Sequence, residues 1–415
     1  MRYDHIAAPD TFIGRYMAHM ADYETATDYD FWCALWLLSC AVRRDVVVDR
    51  PHAPVFLNLY AILVAASGVT RKSTAVGVAR SLARKLFDDD PTIELLESKT
   101  TPEKLDKILH ERSTVTGSAC VAIGISELAV FLGTERYNAA LPALLTDLYD
   151  CHSSRAGGGT VTRGSVNQSN VFINLLSAST PAWLLRSVNP NVVEGGFTSR
   201  CIFVVSEQPK RRIAWSDNPT TDPAPLLRDL QLIRAQGRDY RTITINAGGL
   251  AYFRGWYSKR KLNIDAFRSS FESREDAHIL RLAAFLCIND NTWIIQQTHI
   301  KAAIKLIAVA KQNASYLFEG ETPTTKYLVA IEKIKETLLR SGSRAVSRSA
   351  LFLKVRNHVD NAGFVALLDV MTEIGAIARY QEAILGAGRP TDLIRGLPLL
   401  SSKGLVERVV QSIEC

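Results

Sequence analysis

The chain has 415 residues, of which 47% are hydrophobic and 22% charged, with a formal net charge of +7. That length predicts two or three domains, and the composition is that of an ordinary globular chain rather than a fibrous or disordered one. The longest apolar runs, Phe31–Val42 and Leu59–Ala66, fall short of the roughly 20 residues that cross a bilayer, so no membrane partner is expected. The N-terminus lacks the basic-then-apolar order of a secretory signal, and a cytoplasmic protein is expected. Seven scattered cysteines include no CxxC pair, which argues against a zinc site or a disulfide framework. Cys33 and Cys40, seven apart on one helix, are expected to be buried. The positive balance suits a polyanionic partner without identifying one. Its densest clusters, Lys210–Arg212 and Lys259–Lys261, read equally as solvated surface.

Residues 10–44 read as helical, with Phe12, Tyr16 and Met20 on one face and Phe31–Val42 apolar nearly all round. A short strand follows at 45–49. From Leu57 the pattern alternates between strands and helices. A buried strand over Leu57–Ala65 leads through small residues into a helix over Lys72–Leu86, then a polar stretch and a helix over Pro102–Glu111. "ACVAIGISEL" is a second buried strand, followed by one apolar helix through Leu148. "NVFINLLSAST" (170–180) and "RCIFVVSE" (200–207) complete four unbroken apolar strands, the mark of a mostly parallel sheet covered on both faces. Residues 207–225 are Pro-rich and polar, as in a linker. Residues 226–318 are largely helical with one strand in "YRTITIN". After a break at 319–325 come three helices, over Lys326–Leu339, around Arg348–Val355 and to about Ile374. A hairpin with a Gly-rich turn follows. Three helices and a hairpin is the layout of a winged helix-turn-helix, whose turn here carries Arg389.

The chemistry concentrates at "LNLYAILVAASGVTRKSTAV". A phosphate-binding loop surrounds phosphates with backbone N–H groups and the N-terminus of the next helix. A Lys adds charge, and a Ser or Thr hydroxyl ligates Mg²⁺. Strand, loop and helix stand in that order, and Lys72 and Ser73 occupy the required positions. Ala66 and Arg71 replace the two glycines of the pattern. Arg71 is the serious departure, tolerable with a negative φ and an outward side chain. The second strand ends in Ser126–Glu127, where Glu127 can orient an attacking water and Ser126 replaces the expected Asp. The third ends in Ser179–Thr180, placed to sense a γ-phosphate. Arg200 and Arg281 are of the type that phosphoryl transfer draws from a neighbouring subunit or a lid. A Gly-rich segment over 153–168, with Arg155 and Arg163, is either a mobile surface loop or a hairpin gripping nucleic-acid backbone.

Together, "NLYAILVAASGVTRKST", "VAIGISELAVFLG", "LLTDLYDCHSSRAGGGTVTR", "NLLSASTPAWLL", "GGFTSRCIFVVSE" and "AHILRLAAFL" resemble a family of P-loop ATPases. Its members are carried by phages, plasmids and other mobile elements and are known as replicative helicases or primase-associated ATPases. The resemblance covers roughly residues 10–310. It implies an α/β fold: an AAA+-like P-loop NTPase core with N-terminal helices, a helical lid and a C-terminal winged helix. The corresponding divisions are 1–50, 51–210, 211–320 and 321–415. It implies ATP and Mg²⁺ held at Ser67, Gly68, Val69, Thr70, Arg71, Lys72, Ser73 and Thr74, with Ser73 and Ser126 on the metal. Glu127 then activates water, Thr180 senses phosphate, Arg200 acts in trans as a finger and Arg281 is the lid sensor. Family members tolerate a bulky residue before the Lys, and usually place an acid where Ser126 stands.

Two functions are therefore expected. The first, which the resemblance implies, is a ring-forming, hexameric DNA helicase or translocase with single-stranded DNA in its pore. Arg155 and Arg163 would contact that strand, and Arg389 duplex DNA. The second is a helicase loader or replication initiator that uses ATP as an assembly switch with little turnover. A separate primase or helicase is a partner in either case.

Overall fold

The protein is described from a computed structural model. The described residues are 3, 5–88, 90–133, 140–157, 166–187, 196–215, 222–260, 266–318, 323–342, 344–382 and 391–401. The chain divides into two compact units, Met1–Leu317 and Phe318–Cys415.

The first unit is built on a five-stranded sheet, numbered here in chain order: β1 (Tyr60–Val64), β2 (Glu94–Leu96), β3 (Cys120–Ile125), β4 (Phe172–Ser179) and β5 (Cys201–Val205). Their spatial order is β2-β3-β4-β1-β5, and every pairing is parallel. β1, β3 and β4 are buried at every residue, which explains their unbroken apolar sequences. β4 lies between β1 and β3, so the carboxyl ends of these three strands are neighbours. Ligands of open α/β sheets bind in the crevice outside such ends.

Four strands were legible in the sequence; β2 was not. It has three residues, sits at the sheet edge and is only partly apolar, with Glu94 ion-paired to Arg112. Among the described residues, the stretch read as one helix through Leu148 holds the helices Leu128–Leu132 and Leu141–Leu148. The first stops at Gly133, whose φ of 65° suits a residue without Cβ. The hairpin of 153–168 is present in its stems, with Ser154–Gly157 paired antiparallel to Val166–Ser169.

The helix Thr27–Val42 is buried from Tyr29 to Val42 and packs against both the helix Lys72–Phe87 and the helix Ala224–Tyr240. Cys33 and Cys40 are buried there as expected. Each fully buried side chain such as Leu38 contributes about 1.5–3 kcal/mol. A second, four-stranded sheet joins Val47–Val48 and Val55–Phe56 to Thr242–Ile245 and Ile294–Ile295. The N-terminal segment and residues 224–318 thus share one sheet. No described helix is long and apolar enough to cross a membrane.

The second unit holds helices Pro323–Ser341, Arg348–Val355 and Asn361–Glu373, then the antiparallel strands Ile377–Glu382 and Thr391–Gly396. A third strand, Val346–Ser347, pairs with Thr391–Gly396. Its own core includes Ile331, Leu351, Phe364, Leu368 and Ile394.

Candidate functional site: the phosphate loop and its neighbours

At the carboxyl ends of β1, β3 and β4 lies a cavity of about 420 Å³, lined among others by Ser67, Gly68, Lys72, Ser73, Glu127 and Thr180. Arg71, Thr74, Ser126 and Ser179 also line it. Residues from three separate sequence segments thus meet at one place, in a volume suited to a small ligand.

The helix Lys72–Phe87 begins without a side-chain cap. Elsewhere Thr11, Thr101, Asn246, Ser347 and Asp360 each accept a backbone N–H at a helix start. Thr74 N–H already donates to the Arg71 carbonyl at 3.0 Å, which leaves the N–H groups of Lys72 and Ser73 at a helix N-terminus, where an anion is favoured. Lys72 is buried, and its Nζ donates to the Ala65 and Ala66 carbonyls at 2.9 and 3.0 Å. Burial lowers its pKa from the usual value, opposed by the charge of Glu127. The ammonium is therefore held by the loop's own carbonyls and partly desolvated.

Arg71 departs from the expected conformation. Its φ is +48° and ψ 41°, in the left-handed region, whereas a negative φ was the condition set for tolerating it. A side chain there costs about 1–2 kcal/mol, and the turn imposes it because a glycine-like conformation starts the helix. The side chain does point outward, to Glu24 at 3.2 Å. Gly68, at φ +77°, makes the other left-handed turn of the loop.

Val69 and Thr70 do not line the cavity. Val69 is 43% exposed, and Thr70 is fully buried with its hydroxyl donating to Tyr29 Oη at 3.2 Å. Tyr29 in turn donates to the Val64 carbonyl at 2.8 Å. The N-terminal helix thus clasps the loop from behind, a role the sequence reading missed. Trp183, also missed, lines the cavity, and its main-chain N–H donates to Thr180 Oγ1 at 3.3 Å. With that lone pair engaged, the Thr180 hydroxyl hydrogen remains free to donate.

For Mg²⁺ the donors are hard oxygens: the Ser73 and Ser126 hydroxyls and one carboxylate, Glu127. That set fits an ion held mainly by phosphates and water with one or two protein ligands. Among the described residues no group of three or more His, Cys, Asp or Glu could hold a metal by itself.

Arg200 and Arg281 lie elsewhere. Arg200 precedes β5, level with Tyr60 at the start of β1, and pairs with Asp150 at 2.9 Å. Arg281 donates from Nε to the Phe56 carbonyl at 2.8 Å and covers the Tyr149 ring. Both are buried at the amino end of the sheet. At about 3.3 Å per residue, the five residues from Tyr60 to Ala65 separate them from the loop by about 16 Å. A lid-sensor role for Arg281 toward its own chain's phosphates is therefore corrected, and any contact of Arg200 with nucleotide belongs to the cavity of a second copy.

Arg155 also departs from its expected role. Its guanidinium is taken by Asp106 at 2.7 Å, Asp147 and Gln168, so it fastens the hairpin to the helix Pro102–Thr116 instead of facing a backbone phosphate. Arg163 and Arg389 lie outside the described residues. The basic cluster at 210–212 is structural too: Lys210 pairs with buried Asp30 at 2.6 Å and Arg211 with Asp22.

No family model matches the chain, and no curated protein does. Among solved structures, a full-length MCM homolog from Methanopyrus kandleri is similar at 11% identity. The similarity covers 75% of this chain and 62% of that one, with a TM-score of 0.42. This chain thus spans less than two thirds of that structure's length, and a likeness so slight carries no functional argument.

Proposed function

We propose that the first unit binds ATP with Mg²⁺ at the Lys72 loop and hydrolyses it in a DNA-dependent motor acting in replication. The observation that supports it is the meeting of Lys72, Ser73, Glu127 and Thr180 around one cavity at three adjacent strand ends. The N–H groups at the start of the helix Lys72–Phe87 hold phosphate, and Lys72 leaves the Ala65 and Ala66 carbonyls to join them. Glu127 orients the attacking water and takes its proton. Thr180 donates to the γ-phosphate. The Ser73 hydroxyl, with Ser126 through water, would hold a Mg²⁺ ion, which would neutralise phosphate charge. In a homo-oligomeric ring Arg200 would serve a neighbour's cavity only by leaving Asp150, to which it is paired at 2.9 Å. The net charge of +7 is compatible with single-stranded DNA as the polyanionic partner. The three helices and three-stranded sheet of the second unit support a winged helix that meets duplex DNA.

The test is an ATPase assay with and without single-stranded DNA, beside size measurement with a non-hydrolysable analogue. Stimulation by DNA and loss of turnover in Lys72→Ala are expected. No stimulation, with no unwinding of a forked duplex, overturns the motor. One observation favours a second reading, an ATP-dependent assembly switch: Ser126 stands on the cavity where a carboxylate would hold Mg²⁺ more firmly. ATP binding and nucleotide-dependent assembly with negligible hydrolysis distinguish it.

A further inference from the structure

A second cavity, of about 440 Å³, is lined by Arg43, Arg44, Arg234, Arg238 and Arg241, with Asp45, Thr92, Thr116, Ser118 and Cys120. It lies where three helices end: Thr27–Val42, Pro102–Thr116 and Ala224–Tyr240. Cys120 is the first residue of β3, while Glu127 follows its last, so this cavity is at the opposite end of the sheet from the phosphate loop.

Helix C-termini favour cations, which accounts for an arginine or so at each end. It does not account for five. Asp90 bridges Arg43 at 2.8 Å and Arg234 at 2.6 Å. No carboxylate of a described residue pairs with Arg44, Arg238 or Arg241, so five guanidinium groups face Asp45 and a shared Asp90. Burial first, then like charge from Arg43 and Arg238, lowers the pKa of Arg234, with Asp90 and Asp45 opposing. Two buried guanidinium nitrogens, Arg44 Nε and Arg234 Nη1, have no hydrogen-bond partner. A buried unpaired donor is expensive. Two of the helices also stop on arginines with positive φ, Arg43 at 54° and Arg241 at 43°. Strain of that kind persists where the surrounding structure imposes it, and it clusters at functional sites.

A bound anion answers the charge imbalance and the orphaned donors together. It screens the repulsion among the arginines and gives Arg44, Arg238 and Arg241, which no carboxylate of a described residue meets, a counter-charge. Guanidinium forks match the oxygens of phosphate best. We propose that this cavity is a second phosphate-binding site, separate from the Lys72 loop, which takes either a free polyphosphate or the phosphodiester backbone of a single strand. The two sources share one chemistry and are told apart by the probe.

The experiment uses the full chain carrying Lys72→Ala, which removes the loop lysine, so its outcome does not depend on whether the chain is an ATPase. Inorganic pyrophosphate is titrated by calorimetry, and a labelled oligothymidylate by fluorescence anisotropy over a range of salt. At least one probe binds, and adding Arg238→Glu and Arg241→Glu, both exposed, weakens it tenfold or more, on the order of 1.4 kcal/mol. For the oligonucleotide the slope of log K against log salt also becomes shallower by at least about 1.4, two contacts at about 0.7 each. The Arg238→Lys, Arg241→Lys protein keeps most of the binding, and thermal melting verifies that each variant is folded. Binding of pyrophosphate alone assigns the site to a free polyphosphate; binding of the oligonucleotide assigns it to nucleic acid. If neither probe binds, or if the folded glutamate variant binds as well as its parent, the proposal is overturned.

Discussion

Lys72 at the carboxyl end of the five-stranded sheet and the arginines around Tyr149 at its amino end use positive charge in opposite ways. At the carboxyl end Lys72 is held only by main-chain carbonyls, beside a helix start that no side chain caps. At the amino end Arg200, Arg274 and Arg281 surround Tyr149, and Asp150 holds the first two at 2.9 and 3.5 Å. His278 completes that end, bonded to the Ser199 carbonyl at 2.9 Å and in contact with Tyr149 Oη. Charge provisionally satisfied by groups it can release is disposed to bind. Charge locked to carboxylates and buried carbonyls is disposed to hold a fold.

The largest effects should fall at the carboxyl end and spare stability. Lys72→Ala and Glu127→Gln are each expected to lower single-turnover ATP hydrolysis by about 10²–10³-fold, with melting temperature nearly unchanged. Glu127→Gln should retain nucleotide binding. A large fall in melting temperature with unchanged turnover would reverse the contrast. At the amino end the expected pattern is the converse. Arg281→Met loses the hydrogen bond to Phe56 O and should cost about 1.5–3 kcal/mol by denaturant unfolding, with analogue binding at the loop retained by the folded protein.

The two ends also differ in their response to acid. Burial first, then the neighbouring arginines, depress the His278 pKa from 6.5 to about 3. The unfolded chain therefore binds the extra proton between those values, and this histidine's share of stability is lost as pH falls through 6.5. Near the loop, burial raises the Asp30 pKa from 3.8 to about 6 despite the Lys210 ion pair. There the folded state holds the extra proton, and stability is lost as pH rises from about 4 to 6. Each slope is at most about 1.4 kcal/mol per pH unit, and the two oppose each other between pH 4 and 6. His278→Gln should leave a net fall in stability with rising pH in that window, and Asp30→Asn a net rise. Unfolding curves at half-unit intervals check both signs.

The smallest effect sharpens the loop itself. Arg71→Gly relieves the left-handed conformation and should raise stability by up to about 1 kcal/mol, since the added freedom of the unfolded chain offsets part of the gain. A decrease would show that the Glu24 pair outweighs the strain.

What was legible in the sequence depended on how local the signal was. Strands β1, β3, β4 and β5 announce themselves because burial on both faces forces apolar residues at every position. The loop was readable because Lys72 and Ser73 stand at a fixed offset from a strand. Partners distant in sequence were not readable. Arg155, Arg200 and Arg281 invited functional roles as exposed arginines, yet their carboxylate and carbonyl partners arrive from residues 106, 147, 150 and 56. The five-arginine cavity was invisible for the same reason, being assembled from segments almost 200 residues apart. Thr70 shows the limit at finer scale, since only the approach of Tyr29 turns it away from the cavity.

The clasp of the N-terminal helices on the rest of the first unit has a consequence for how the chain is made. Ile13 donates its N–H to Asn289 Oδ1 at 2.8 Å, Arg15 meets Asp229 at 2.7 Å and Asp30 meets Lys210. The apolar helix Thr27–Val42 therefore leaves the ribosome well before the residues that cover it. At about 5–20 residues per second, the interval from Val42 to Asn289 lasts on the order of 12–50 seconds. Throughout it a strongly hydrophobic segment has only part of its cover, the helix Lys72–Phe87 arriving early and the helix Ala224–Tyr240 late, and closing such distant contacts is slow. Its production should thus depend on holdase chaperones during translation, with slower elongation lengthening the period of greatest risk of aggregation.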